Sequence, residues 1–215
     1  MDGNNRWSKK NNKNLYEAYS IGAKKLLSLS KYLFNNHELN YISAFALSKK
    51  NLKRSSVLIK TLKRVLQYFL DNQNNSIKRN FQIIFRGDFS FLDKKTIEKI
   101  LSLEKKNPIT KKKLIIYINY SGKEDIIKSC NNFIEINQKK MITDTYLKRN
   151  LYSKNIPDPD ILIRTGGYQR ISDFMLYQIS FTELKFTKKL WPDISNTDLD
   201  KFIKQYYIID RKFGL

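Results

Sequence analysis

Two arginines and a hydroxyl flank a glycine turn in residues 160–183, DILIRTGGYQRISDFMLYQISFTE. Arg164 ends the apolar run Ile161-Leu162-Ile163, and Thr165-Gly166-Gly167 follows. Arginine forks match phosphate oxygens in pairs. Gly-Gly lets the backbone adopt φ > 0 or approach a ligand closely. The apolar run suits a strand buried on both faces. Arg164, Arg170 and Ser172 then stand at its carboxyl end, where open α/β sheets place ligands. Glu183 adds a carboxylate suited to a divalent cation. The plain alternative is a βα loop with solvated arginines, since Arg and Gly are common in loops.

A second group opens the chain. Asp2-Gly3-Asn4-Asn5-Arg6-Trp7 combines a carboxylate, a flexible backbone and a cation. If a helix starts there, its free N–H groups offer a seat for a diphosphate. A carboxylate beside a diphosphate suggests a bridging Mg²⁺. Taken alone, the same residues also read as a disordered terminus, and Ser48 to Arg54 as a basic loop.

The rest of the chain must position these groups. Helical periodicity runs over 16–35 and 55–72, with Leu26, Leu29 and Leu33, then Leu58, Leu62, Val65 and Phe69, on the apolar faces. Further helices are predicted over 92–105, 124–135, 142–151 and 196–207, and an amphipathic helical piece over 173–179. Strands are predicted over 41–47, 80–86, 113–120 and 183–186, beside the run ending at Arg164. Residues 1–14 read as a polar loop or helix start. Strands alternating with helices predict an α/β fold with a mostly parallel sheet and right-handed crossovers. No repeat or long linker divides the chain, so one domain over 1–215 is expected.

RTGGYQRISDF, followed by Glu183 and LWPD at 190–193, resembles the signature of the cis-prenyltransferases, the isoprenyl transferases that include undecaprenyl diphosphate synthase. MDGNNRW at 1–7 is similar to that family's MDGNGRW, and DRKFG at 210–214 to its tail ending in RFG. NYSGK at 119–123 is similar to its NYGGR turn, and SKKNLKR at 48–54 to its SSENWNR. The resemblance implies a mostly parallel central sheet flanked by helices, with the helix over 55–72 lining a hydrophobic tunnel. It implies an Mg²⁺-dependent transferase that condenses isopentenyl diphosphate with an allylic diphosphate, such as farnesyl diphosphate, to make polyprenyl diphosphate. Asp2 is implied as the essential carboxylate and Mg²⁺ ligand, with Gly3, Asn4, Asn5, Arg6 and Trp7 around the allylic diphosphate. Ser48, Lys49, Lys50 and Arg54 are implied in substrate binding, and Asn51 in proton loss. An amide has little proton affinity, so Asn51 is expected to orient the substrate while a diphosphate oxygen or a water takes the proton. Arg164, Arg170, Ile171 and Ser172 are implied in seating isopentenyl diphosphate. Glu183 is implied as a second metal ligand, a dimer partner being one route to it. A homodimer is itself implied.

The chain departs from the family pattern at several points. Asn5 replaces a glycine, Leu52 a tryptophan, and Lys49-Lys50 a Ser-Glu pair. Leu15 and Tyr19 stand where the family has an arginine and a histidine that assist the diphosphate; Lys9, Lys10 or Lys13 are candidate substitutes. The resemblance also implies a strand immediately before Met1. Either the true start lies upstream, which is the favoured expectation, or the protein is truncated. As written, Asp2 is expected on a frayed terminus, poorly held.

Composition narrows the remaining classes. The chain has 215 residues, 41% of them hydrophobic, enough for a substantial core. There is no apolar run long enough for a membrane span and no signal peptide. The single cysteine, Cys130, fits a reducing compartment. A cytoplasmic protein is expected, with membrane contact at the inner face for product release. The net charge of +21 suits phosphorylated substrates, an anionic membrane or nucleic acid. The lysines are scattered and no zinc-finger or RNA-recognition pattern is present, so no nucleic acid is expected. Two rival readings remain: a non-catalytic or weakly active member of the same fold, and a basic protein that binds nucleic acid or a membrane surface.

Overall fold

The computed structural model describes residues 1–52, 56–74, 80–106, 109–136 and 141–210, the side chains of 73 and 74 excepted. In chain order the helices are α1 (Asn4–Lys10), α2 (Leu15–Asn36), α3 (Lys49–Leu52), α4 (Ser56–Asn74), α5 (Lys94–Glu104), α6 (Gly122–Ile136), α7 (Asp144–Asn150) and α8 (Asn196–Tyr207). The strands are β1 (Tyr41–Phe45), β2 (Gln82–Gly87), β3 (Lys113–Ile118), β4 (Ile161–Arg164) and β5 (Glu183–Phe186). A 3-10 turn, Trp191–Asp193, precedes α8.

Local chemistry sets the helix starts. The Asn14 side chain accepts the Glu17 N–H and Glu17 accepts the Asn14 N–H, a reciprocal cap that begins α2 at Leu15. Ser195 and Asp198 make the same arrangement at α8. The other end of α2 is tied to α8: Asp200 accepts the Tyr32 hydroxyl at 2.7 Å and contacts His37 Nε2 at 2.8 Å. His37 is thus a link between helices.

All described ladders are parallel. β3 lies between β1 and β2, and β4 pairs with β5 in a second sheet. Alternation along β3 builds two cores. Leu114, Ile116 and Ile118 face a cluster that includes Leu26, Leu29 and Phe34 of α2 and Phe69 and Leu70 of α4. Ile115 and Tyr117 face Tyr120, Phe174 and Met175. β4 is shared between the two: Ile161 and Ile163 pack on the first and Leu162 on the second.

One expected element is absent. Residues 173–179 form turns rather than a helix. Ser172, Asp173 and Met175 all have positive φ, of 53°, 68° and 49°. The Asp173 carboxylate accepts the Ser121 hydroxyl at 2.5 Å and the Lys123 N–H at 3.0 Å. Its carbonyl accepts the Gly122 N–H at 2.8 Å. The segment after β4 is therefore tied to the turn after β3, and both carboxyl ends open on the same side of the molecule. Isolated helical propensity loses to these long-range bonds.

α6 carries a buried carboxylate. Asp125 is 3% exposed, and its Oδ1 accepts the Tyr152 N–H at 3.0 Å. Burial pushes its carboxyl up to about 6, against the opposing pull of the Tyr152 N–H. The folded chain thus keeps a proton that the unfolded chain gives up near pH 4. The stabilising contribution is complete below about pH 4 and is lost as pH rises through about 6, a fall of about 2–3 kcal/mol. Asp125→Asn is expected to flatten this part of the stability profile in urea denaturation between about pH 4 and pH 7. An unchanged slope in the variant would assign the proton to another group.

Candidate active site

Asp2 is firmly placed, contrary to the expectation of a frayed position. Its N–H donates to Thr165 Oγ1 at 2.9 Å, and the Thr165 hydroxyl donates back to the Asp2 carbonyl at 2.9 Å. The Trp191 N–H donates to the same carbonyl at 2.9 Å. Residues far apart in sequence thus fix the Asp2 backbone and leave its carboxylate free to point into the site. Gly3, with φ of 106°, turns the chain into α1.

The Asp2 carboxylate meets two guanidiniums. Arg164 Nη2 donates to Oδ2 at 2.9 Å, and Arg6 Nη2 lies 3.6 Å from Oδ1. Arg6 reaches this position because α1 brings it one helical turn beyond Asp2. Arg164 also donates to Ser172 Oγ at 2.7 Å and to the Arg170 carbonyl. The glycine turn makes this crowding feasible. Gly166 and Gly167 have φ of 88° and 85°, and their N–H groups bond the carbonyls of Lys189 and Thr187. A Cβ on Gly166 would lie 2.5 Å from Arg6 Nη2 and 3.2 Å from Asp2 Cβ. Asp2, Arg6, Arg164, Arg170 and Ser172 are therefore one cluster. Ile171 sits within it as a half-buried residue whose carbonyl accepts the Phe174 N–H at 3.3 Å.

Beside this cluster is an apolar cavity of about 100 Å³, lined by Met1, Asn4, Tyr19 and Trp191 together with residues of α2, β2, β3 and α4 and the segment just after β1. Leu62, Val65, Leu66 and Phe69 provide the α4 wall. Asn4 is buried, and its Oδ1 has no hydrogen-bond partner among the described residues. Tyr19, where the resemblance leads to a histidine, lines the same cavity. Leu15 is the first residue of α2. Among the substitute cations, Lys13 is engaged by Glu17 at 3.7 Å, and Lys9 and Lys10 are exposed on α1.

The remaining predicted site residues are distributed as follows. Trp7 Nε1 donates to Asp193 Oδ1 at 2.7 Å, which ties α1 to the 3-10 turn. Asn5 is exposed, and its carbonyl accepts the Ser8 hydroxyl. Ser48 forms a bridge with Tyr120, and the Ser48 carbonyl accepts the Asn51 N–H at 2.9 Å. This fixes the short α3 at the carboxyl ends of β1 and β3. Lys49 is paired with Glu124, while Lys50 is exposed. Arg54 and the tail residues 211–215 lie outside the described residues. Glu183 begins β5 opposite Ile161, whereas Arg164 pairs with Phe186. Three residues of strand, about 10 Å, separate Glu183 from the Arg164 end, so one chain does not bring Glu183 and Asp2 together.

Three participants were not singled out by the sequence. Thr165 clamps the Asp2 backbone, Trp191 supports it, and Tyr168 stands among the arginines. A hydroxyl beside the glycine pair and an aromatic residue between two arginines were the available signals. Neither is distinctive without knowing what lies opposite.

Among the described residues, no group of three or more His, Cys, Asp or Glu side chains is arranged to hold a metal. The Asp2 side chain is 36% exposed and offers a single carboxylate beside the arginines. That donor set fits Mg²⁺, which retains waters and takes further oxygens from substrate phosphates.

The family model described as "Putative undecaprenyl diphosphate synthase" matches residues 1–214. The chain belongs to this family of prenyltransferases. An "Isoprenyl transferase" of Rickettsia typhi is 34% identical over 218 residues, covering 100% of this chain and 95% of that protein. "Dehydrodolichyl diphosphate synthase 4" of Arabidopsis thaliana is 32% identical over 223 residues, covering 100% of this chain and 77% of that protein. The solved lavandulyl diphosphate synthase from Lavandula x intermedia, in complex with dimethylallyl diphosphate, matches with a TM-score of 0.88 at 28% identity. The match covers 100% of this chain and 95% of that one. The expected family and α/β prenyltransferase fold are both borne out.

Proposed function

We propose that this prenyltransferase condenses isopentenyl diphosphate with an allylic diphosphate in the cis geometry and repeats the cycle to give a polyprenyl diphosphate. The observation that carries this reading is the placement of one carboxylate and three guanidiniums beside an apolar cavity. A diphosphate head matches the charged cluster and a prenyl tail matches the cavity.

Arg164, Arg170 and Ser172 seat isopentenyl diphosphate so that its double bond faces the allylic carbon. Arg6 and Arg54 hold the allylic diphosphate and stabilise the charge it gains as its C–O bond breaks. The double bond supplies the electron pair for the new C–C bond, diphosphate departs with the C–O pair, and one proton is lost. Asn51 orients the substrate for that loss, and a diphosphate oxygen or water receives the proton. Mg²⁺, when bound by Asp2 and substrate oxygens, supplies Lewis-acid stabilisation of the leaving diphosphate.

The protein acts as a homodimer of single-domain chains spanning 1–215. Phe181, just before β5, and Leu184, within it, support this, being 60% and 42% exposed. Glu183 is proposed to reach a metal across the dimer interface. No described helix is long and apolar enough to cross a membrane. We place the enzyme in the cytoplasm, meeting the membrane to release product.

Incubation with radiolabelled isopentenyl diphosphate and farnesyl diphosphate is expected to yield butanol-extractable polyprenyl product. A chelator is expected to abolish incorporation and added Mg²⁺ to restore it. Undiminished incorporation after exhaustive chelation would contradict the metal assignment, and no incorporation by folded protein would favour the non-catalytic rival, which the replacements at Leu15 and Tyr19 motivate.

A further inference from the structure

We propose that Tyr168 is a positioning residue for isopentenyl diphosphate, its ring serving as a common platform that gathers Arg6, Arg164 and Arg170. This rests on the assignment of Arg164 and Arg170 to that substrate. The guanidinium carbons of Arg170, Arg6 and Arg164 lie 4.2, 5.0 and 5.7 Å from the ring centroid. All three are within the range in which the ring quadrupole attracts a cation.

The platform answers a physical difficulty. Three guanidiniums beside one another repel, and the single Asp2 carboxylate offsets only part of their charge. Asp2 engages Arg6 and Arg164 but not Arg170. Among the described residues, the Arg170 guanidinium makes no hydrogen bond or ion pair; the Tyr168 ring is its contact. A long side chain held by one flat surface retains its N–H donors for a ligand. It also loses less rotamer freedom on binding than an unsupported one. Tyr168 itself is 44% exposed, so its ring lies open beside the arginines. Gly166 and Gly167, both at positive φ, turn the backbone immediately before it. The loop thus supplies Arg164, Arg170 and the ring that aligns them, and draws Arg6 from α1.

The π face, rather than the hydroxyl, performs this role. Tyr168→Leu is expected to raise KM for isopentenyl diphosphate about tenfold, with kcat and KM for the allylic diphosphate changed much less. Tyr168→Phe is expected to keep KM within about twofold of wild type. Combining Tyr168→Leu with Arg170→Ala should give less than the product of the two single effects, because both remove the Tyr168–Arg170 contact. Thermal melts of each variant establish that the protein compared is folded.

An unchanged KM in Tyr168→Leu, with a raised KM in Arg170→Ala, would overturn the platform and leave the arginine seat standing. Equal losses in Tyr168→Phe and Tyr168→Leu would also overturn it, by assigning the role to the hydroxyl. If Arg170→Ala itself leaves KM unchanged, the seat assignment fails instead.

Discussion

Asp2→Ala is expected to lower kcat for prenyl transfer by about a thousandfold or more. The carboxylate is the only acidic side chain among the described residues that contacts the arginine cluster, pairing with both Arg164 and Arg6. Removing it takes away the proposed Mg²⁺ ligand and leaves two neighbouring guanidiniums uncompensated. The backbone would remain in place, because its bonds to Thr165 and Trp191 involve main-chain atoms of Asp2. The loss should therefore appear in turnover with little change in the melting temperature. Asp2→Asn separates charge from shape: it keeps an oxygen and the side-chain volume but supplies no negative charge. A comparable loss in both variants is expected. Activity within about tenfold of wild type in Asp2→Ala would remove Asp2 from the chemistry.

Trp191→Ala is expected to cost about 3–5 kcal/mol of folding stability. The ring is 8% exposed, and its Nε1 donates to the Gly22 carbonyl at 2.9 Å inside α2. Gly22 is where α2, Asn4 and the ring converge: a Cβ there would lie 2.5 Å from Asn4 Oδ1 and 3.1 Å from Trp191 Cδ1. Truncation thus opens a cavity, removes the indole's bond to the Gly22 carbonyl and loosens the support under Asp2. Urea denaturation measures the cost. For a domain of this size it corresponds to a fall in Tm of roughly 10 °C. Trp191→Phe should recover part of the packing loss but not the Gly22 bond, an intermediate position of about 1–3 kcal/mol below wild type. A Trp191→Ala protein as stable as wild type would mean that the 3-10 turn does not brace the site.

Parallel strands were legible because they read as continuous apolar runs, although β4 is half-buried along its length rather than buried on both faces as expected. The run at 113–120 includes β3, and β4 lies where Ile161-Leu162-Ile163 predicted it. α8 was legible at both ends, since Ser195 and Asp198 cap one end and the periodicity carries through to Tyr207. Residues 173–179 were not, because Phe174, Met175, Leu176 and Ile179 have helical spacing. What decides their conformation is Asp173 bonding across to Ser121 and Lys123, and spacing does not contain that information. The two halves of the charged cluster were each visible as motifs. Their union through Thr165 joins residues 163 apart in sequence, and only the folded chain shows it. Within one chain Glu183 stands apart from Asp2 for a related reason: strand register puts it at the other end of β4 and β5, which residue type does not reveal.

The most direct test of the central claim is the stoichiometry of transfer by the 215-residue chain. Inorganic diphosphate released and labelled isopentenyl diphosphate incorporated into prenyl product would be measured in the same reaction. A ratio of one diphosphate per isopentenyl unit, dependent on an allylic primer, is the predicted result. Diphosphate release without incorporation would mean that the cluster hydrolyses or merely binds the allylic substrate, and it would contradict the assignment of Arg164, Arg170 and Ser172 to a second, reacting diphosphate.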